Sequence, residues 1–419
     1  MPMPAEAQEP VASRGGFFMP EVKLSYRIII ELRRLPLIHR PLKWLRRVAL
    51  KRVMDGLLEL SRLLSTPWPR WGPAKATFSV YELLRTQAVR GRIVLETQGE
   101  QSLPDPSIQV LCGLTQHAEQ PRPIFWSHHR EARLVSASLG LMDDKKQIAI
   151  EAAYGQRFFR NDPAYRHLML PAPVPLAGNW TSICSHWTPN GGVPTFSHWL
   201  LDALPRLAVL DEFPADTRIL VPRALAGYQK ESLKLLGLSD RIRHTPERHL
   251  LVENYSFSSP TTMISCYNPY GVNFLRSRFL PQADPAYSGP KKFIIQRKGK
   301  SRGIKNEPEV NDFFRGIGWE IIDTEKLTFA EEIQLFSGAE AIAGILGSGF
   351  TNCVWCRPGC KVITFIARSW LDGWVEWICG VAQLDYRYQI FADDHAMMAT
   401  VQVDEVKKLL RSLGLEAGR

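Results

Sequence analysis

Three short stretches of the chain bring together residue types that do chemistry jointly. In TFSHWLLDALPRL, residues 195–207, His198 and Asp202 stand four positions apart. On a helix that spacing places both on one face. An imidazole oriented by a carboxylate suits a general base that takes the proton from a hydroxyl. The same pair would equally serve as a buried hydrogen bond that fixes the helix. In QRKGKSRGIKNEPEV, residues 296–310, Arg297, Lys298, Lys300, Arg302 and Lys305 directly follow an apolar stretch. Arginine offers paired donors to phosphate oxygens; the alternative is a solvated basic loop. In AIAGILGSGFTN, residues 341–352, an apolar run enters Gly344, Gly347 and Gly349. Glycine lets backbone turn tightly and approach a ligand. A helix starting near Phe350 would present unbonded N–H groups to a diphosphate, with Ser348 and Thr351 adding hydroxyls. Such a turn is also Gly-rich for packing alone.

These stretches need a frame that brings them to one place. From about residue 293 the pattern is regular. Strands are expected at 293–296, 319–322, 341–345 and 362–366, and helices at 308–316, 329–339 and 350–356. Strands alternating with helices over short loops imply a parallel, helix-covered sheet. The carboxyl ends of such strands form the ligand edge, so the basic stretch and the glycine turn would share it. Upstream the pattern is mixed: strands at 92–96, 148–151 and 218–221, helices at 196–210 and 228–236. Other features carry less. Cys353, Cys356 and Cys360 lack a fourth ligand spaced for zinc and read as small apolar residues. His128 and His129, adjacent on a strand, would point oppositely. Trp370, Trp374 and Trp377 suit either stacking on a ring or core packing.

The chain has 419 residues, 45% hydrophobic and 22% charged, with a net charge of +10. That length suits two domains with real cores plus an extra segment. The excess charge is local: residues 21–70 hold twelve Lys or Arg against four Asp or Glu. The nearly neutral remainder argues against a nucleic-acid partner. Residues 21–65 read as two basic amphipathic helices, suited to an anionic membrane surface or to a solvated hairpin. Seven cysteines at irregular spacing do not form a disulfide framework. No apolar run reaches a membrane span, and the N-terminus lacks the order of a secretion signal. The expected location is cytoplasmic, peripheral to the inner membrane face if residues 21–65 bind there. Boundaries are expected as a disordered tail at 1–20, a basic helical extension at 21–72, an acceptor-side α/β domain at 73–282 and a nucleotide-binding domain at 283–419.

Taken in order, FSHWLLDALPRL, QRKGKSRGIKNEPEV and LTFAEEIQLFSGAEAIAGILGSGFTNCVWCRPGCKVI resemble glycosyltransferase family 61. The resemblance implies an α/β fold of the GT-B-like kind, a pair of Rossmann-type domains with the donor nucleotide held mainly by the second. It implies inverting transfer from a nucleotide-diphosphate sugar, expected to be a UDP-sugar, to a glycan or lipid-linked glycan acceptor in cell-surface polysaccharide biosynthesis. It implies no metal and no cofactor beyond the nucleotide-sugar co-substrate. Matched residue by residue, His198 and Asp202 fall in the helix near the domain cleft. Arg297, Arg302, Asn306 and Glu307 match the basic motif, and Gly347, Gly349 and Asn352 match the turn. Glu332 and Gln334 lie in the helix before it, where Gln is the family-like residue. The expected donor-binding set is Arg297, Arg302, Lys305, Asn306, Glu307, Gly347, Ser348, Gly349, Thr351 and Asn352. The chain departs from the family at Leu346, where a His is usual, at Ser348, where an Ala is usual, and at Gly303, where a second Arg is usual. Two rivals stay open: an S-adenosylmethionine-dependent methyltransferase, whose cofactor also suits a Gly-rich turn, and a non-catalytic scaffold of a membrane-bound polysaccharide assembly.

Overall fold

The computed structural model describes residues 76–95, 123–152, 170–184, 195–263, 266–299 and 301–415. The expected tail at 1–20 and basic helices at 21–65 lie outside the described residues. No helix among the described residues is long and apolar enough to cross a membrane.

Residues 292–391 form a five-stranded, all-parallel sheet of Lys292–Ile295, Glu320–Ile322, Ala341–Ile345, Lys361–Ala367 and Asp385–Phe391. The spatial order is second, first, third, fourth, fifth. This is a doubly wound order, whose direction reverses between the first and third strands. Strand residues alternate between two cores, as the two-residue period of a strand requires. Phe293, Ile295, Ile342, Val362 and Ile366 enter one, with Phe329, Ile333 and Phe336 of the helix Phe329–Ser337. Ile294, Ala341, Ala343, Ile363 and Phe365 enter the other, with Val310 and Phe314 of the helix Glu307–Gly316 and Val406 and Leu410 of the helix Val403–Ser412. Covering both faces removes solvent from the central strand, and Ala341–Ile345 is apolar and buried throughout.

The first half of the described chain is different. Its nine-stranded sheet is mixed. On one flank Val174–Ser182 pairs in parallel with Arg218–Pro222 and with His249–Ser258, and Arg218–Pro222 with Ile242–Thr245. On the other, Ile124–Val135 runs antiparallel to three neighbours. The all-parallel doubly wound form expected of both halves is thus present in the second sheet. In the first, long antiparallel strand pairs stand on one side in place of helical crossovers.

All described residues fall in one compact unit, Ser61–Arg419. One apolar core is continuous through it, from Trp126 and Leu200 to Phe293 and Trp355. A polar tie accompanies it. Glu231, on the helix Gly227–Leu235, accepts hydrogen bonds from Phe329 N at 2.8 Å and Ala330 N at 3.2 Å. Those N–H groups open the helix Phe329–Ser337 and have no partner within it. Thr328 and Glu331 close the same end as a capping box.

Candidate functional site

The cavity that matters opens where the second sheet reverses. It measures about 430 Å³ and is lined by Ile295 to Lys298 after the first strand and by Gly347 to Phe350 after the third. Thr324, Glu325 and Leu327 line it after the second strand, with Glu332 from the following helix. Phe196 and Tyr228 close it from the upstream half of the chain. Their rings meet edge to face at 5.2 Å.

Arg297 lies across the glycine turn. A Cβ added to Gly347 would stand 2.0 Å from Arg297 Nη1, so this position takes no side chain while the guanidinium stays there. Nη1 also donates to the Leu346 carbonyl at 3.4 Å. Burial and the nearby Arg302 both lower the pKa of Arg297, against the pull of Glu325. Arg302 occupies the left-handed region, with φ of 59°, and its N–H donates to Ala396 O. The guanidinium stacks 4.0 Å above the Trp370 ring. Among the described residues, neither arginine has an ion-pair partner, whereas Lys298 is paired with Asp323 at 2.8 Å. Two neighbouring, partly buried cations with no carboxylate at ion-pair distance, Glu325 acting on Arg297 from further off, are a costly arrangement that an anion relieves.

The turn continues into a 3-10 helix, Ser348–Trp355, beginning two residues earlier than the pattern suggested. Its leading N–H groups, at Ser348 and Gly349, have no carbonyl ahead of them to bond. Gly349 is packed from below, since a Cβ there would meet Ile295 Cγ2 at 3.0 Å. Gly344 is tied to the strand before the turn: φ is 153°, and a Cβ would stand 2.9 Å from Ile295 O.

His198 Nδ1 and Asp202 Oδ2 are 2.6 Å apart. The expected helix is present, but it changes form along its length. An α turn at Phe196–His198 passes into a π segment at Trp199–Ala203 and a 3-10 run at Leu204–Glu212. Pro205 has no N–H to donate, so the regular ladder cannot continue through it. A single π turn is a frequent device at functional sites. Asp202 is buried, while the His198 side chain keeps 34% of its exposure. His198 is not in the cavity wall; Phe196, two residues earlier, is.

The sequence-derived donor residues divide on inspection. Arg297, Gly347, Ser348 and Gly349 line the cavity, and Arg302 lies beside Arg297. Lys305 is exposed and outside the cavity wall, as is the half-buried Glu307. Asn306 exchanges hydrogen bonds with the Val401 backbone, 2.8 Å to its O and 3.0 Å from its N, and so ties the basic loop to the segment before the last helix. Thr351 and Asn352 are fully buried behind the turn. Leu346 is buried in the core and is not in the cavity wall.

Residues 196–363 match the family model described as Glycosyltransferase 61. This segment is a glycosyltransferase family 61 region. The family 61 region includes both helices that enclose the cavity, the basic loop and the glycine turn, and it stops inside the fourth strand of the second sheet. A search of curated proteins gives no match to the chain.

The sequence reading places Glu332 in the helix before the turn without giving it a role, and it misses other residues around this region. Glu332 sits in the cavity wall at 6% exposure, and burial raises its pKa to about 8, with a hydrogen bond from Asn352 opposing and Glu231 adding to the rise. The signal was available: Phe329, Ile333 and Phe336 define an apolar helix face, and a carboxylate between them is out of place. The Arg302–Trp370 stack joins residues far apart in sequence and left no local signal. The cysteines are buried free thiols at Cys353, Cys356, Cys360 and Cys379, and no metal-holding group of His, Cys, Asp or Glu occurs among the described residues. His128 bonds Ser256 and His129 bonds Ser127, on opposite faces of their strand.

Proposed function

We propose that the chain transfers a sugar from a nucleotide-diphosphate donor, a UDP-sugar, to a hydroxyl of a glycan or lipid-linked glycan. The observation that carries this reading is the Arg297 guanidinium lying over Gly347 at the reversal point of a doubly wound sheet, beside Arg302 and without an ion-pair partner among the described residues. The family 61 match favours sugar transfer over methyl transfer at the same turn.

In this mechanism the donor diphosphate meets Arg297, the Ser348 and Gly349 N–H groups and the Ser348 hydroxyl. His198 faces the acceptor. Nδ1 donates to Asp202, which leaves Nε2 as the acceptor of a proton. The acceptor oxygen bonds to the anomeric carbon as its bond to the phosphate oxygen breaks. The proton passes to Nε2 and the nucleoside diphosphate leaves. Its growing charge is met by guanidinium and N–H groups already in place, which is how a preformed site lowers a barrier. Direct displacement inverts the anomeric centre and requires no resident metal or cofactor. A GT-B-like arrangement, a cytoplasmic location and attachment to an anionic membrane through residues 21–65 belong to this proposal.

Thermal-shift screening against nucleotide sugars tests the donor half. A UDP-sugar is expected to raise the Tm of the native chain and not that of Arg297→Ala. S-adenosylmethionine raising the Tm where no nucleotide sugar does would reverse the assignment. The scaffold reading requires membrane association with no donor turnover at all.

A further inference from the structure

The cavity has two chemically different ends. At one, Arg297 and the N–H groups of the glycine turn offer positive charge, with Arg302 behind Arg297 and outside the wall. At the other stands Glu332, with Phe196, Tyr228 and Phe350. The charge acting on Glu332 is that of Glu231, while those acting on Arg297 are Arg302 and Glu325. Glu332 is therefore not the counter-ion of the arginines.

Its orientation is fixed from behind. Trp355 Nε1, which can only donate, bonds Asn352 Oδ1 at 3.0 Å. That sets the amide so that Asn352 Nδ2 donates to Glu332 Oε1, also at 3.0 Å. Asn352, Trp355 and Glu332 are all buried. Glu332 Oε2 has no hydrogen-bond partner among the described residues, and the residue lines the cavity. A carboxyl of a buried residue, held this way through one oxygen with the other left for the cavity it lines, is placed to meet a ligand group. The arginines already provide for phosphate, which leaves Glu332 to the uncharged part of a ligand. The aromatic neighbours suit the apolar face of a ring. Tyr228, whose phenol pKa is raised to about 12 by burial and then by Glu332, closes the same end.

We infer that Glu332 is a ligand-binding residue whose Oε2 hydrogen-bonds a ring hydroxyl of the bound donor, on the ribose or on the transferred sugar, while the arginines hold the diphosphate. The inference rests on the donor reading above and adds to it which group recognises the neutral part. Binding of UDP, UDP-glucose and inorganic pyrophosphate is measured by calorimetry on native protein, Glu332→Ala and Glu332→Gln. Glu332→Ala is expected to weaken UDP-glucose at least tenfold and to leave pyrophosphate within twofold. Glu332→Gln, which keeps a polar atom at the same place, is expected to stay within threefold for all three. An equal loss for UDP identifies the ribose, and a loss confined to UDP-glucose identifies the transferred sugar. Unchanged affinity for both nucleotides in Glu332→Ala overturns the inference. So does a parallel loss for pyrophosphate, which would mean that Glu332 only supports the turn through Asn352. Native protein that binds pyrophosphate but neither nucleotide refutes the donor reading, and this inference with it.

Discussion

At the residue scale the account rests on a few side chains whose removal has distinct consequences. Arg297 holds charge on the donor, so Arg297→Ala should weaken UDP binding by roughly 10- to 100-fold, the range for losing a charged hydrogen bond of about 1.5–3 kcal/mol. Equilibrium binding measures it directly. Gly347→Ala should do the same without removing charge, because its Cβ occupies the place of the Arg297 guanidinium. In the proposed reaction His198 acts on the acceptor instead. His198→Ala should lower kcat by roughly 10²–10⁴-fold, the usual worth of a positioned acid or base, with donor affinity unchanged in the same calorimetric assay. Much of this was legible in sequence. His198 and Asp202 announced their contact by their spacing, and the glycines of the turn by their clustering. Asn306, Thr351 and Asn352 were legible as motif positions only. Whether a side chain faces a cavity or the backbone behind it is decided by tertiary packing, which spacing does not encode.

At the scale of elements, the helix Phe329–Ser337 and the third strand carry the site. The helix keeps Glu332 in its apolar face, with a pKa raised to about 8. In the unfolded chain this carboxyl ionises near 4.5. Between those values the folded state binds more protons than the unfolded one, so stability contributed by this group falls as pH rises through that window. Glu332→Gln removes the titration. It should raise Tm relative to native protein at pH 8–9 and change the difference little below pH 4, as thermal denaturation across pH would show. The third strand carries a glycine, Gly344, next to its last residue, with φ of 153°. Gly344→Ala forces a side chain into that backbone region against Ile295 O, so it should destabilise the fold by about 1–3 kcal/mol, measured by urea denaturation. These strands were legible because both their faces are apolar. The π segment after His198 was not, because Pro205 acts on hydrogen bonds rather than on the hydrophobic pattern.

At the scale of the whole molecule, the second sheet supplies a ligand edge at its reversal point and the first half supplies the wall that faces it. Phe196 and Tyr228 reach the cavity because the apolar core is continuous between the two halves, and because Glu231 caps the helix that bears Glu332. The alternation of strands and helices after residue 292 foretold the second sheet. The first was foretold only in fragments, since its long antiparallel pairs join segments more than a hundred residues apart, such as Trp126 with Ser258. The central claim is that this cavity turns over a nucleotide-sugar donor. Its most direct test is release of nucleoside diphosphate from a panel of nucleotide sugars, with a glycan acceptor present, by native protein and by Arg297→Ala. The account predicts release from at least one UDP-sugar by the native chain and loss of most of it in the variant. Equal release by both proteins would contradict it.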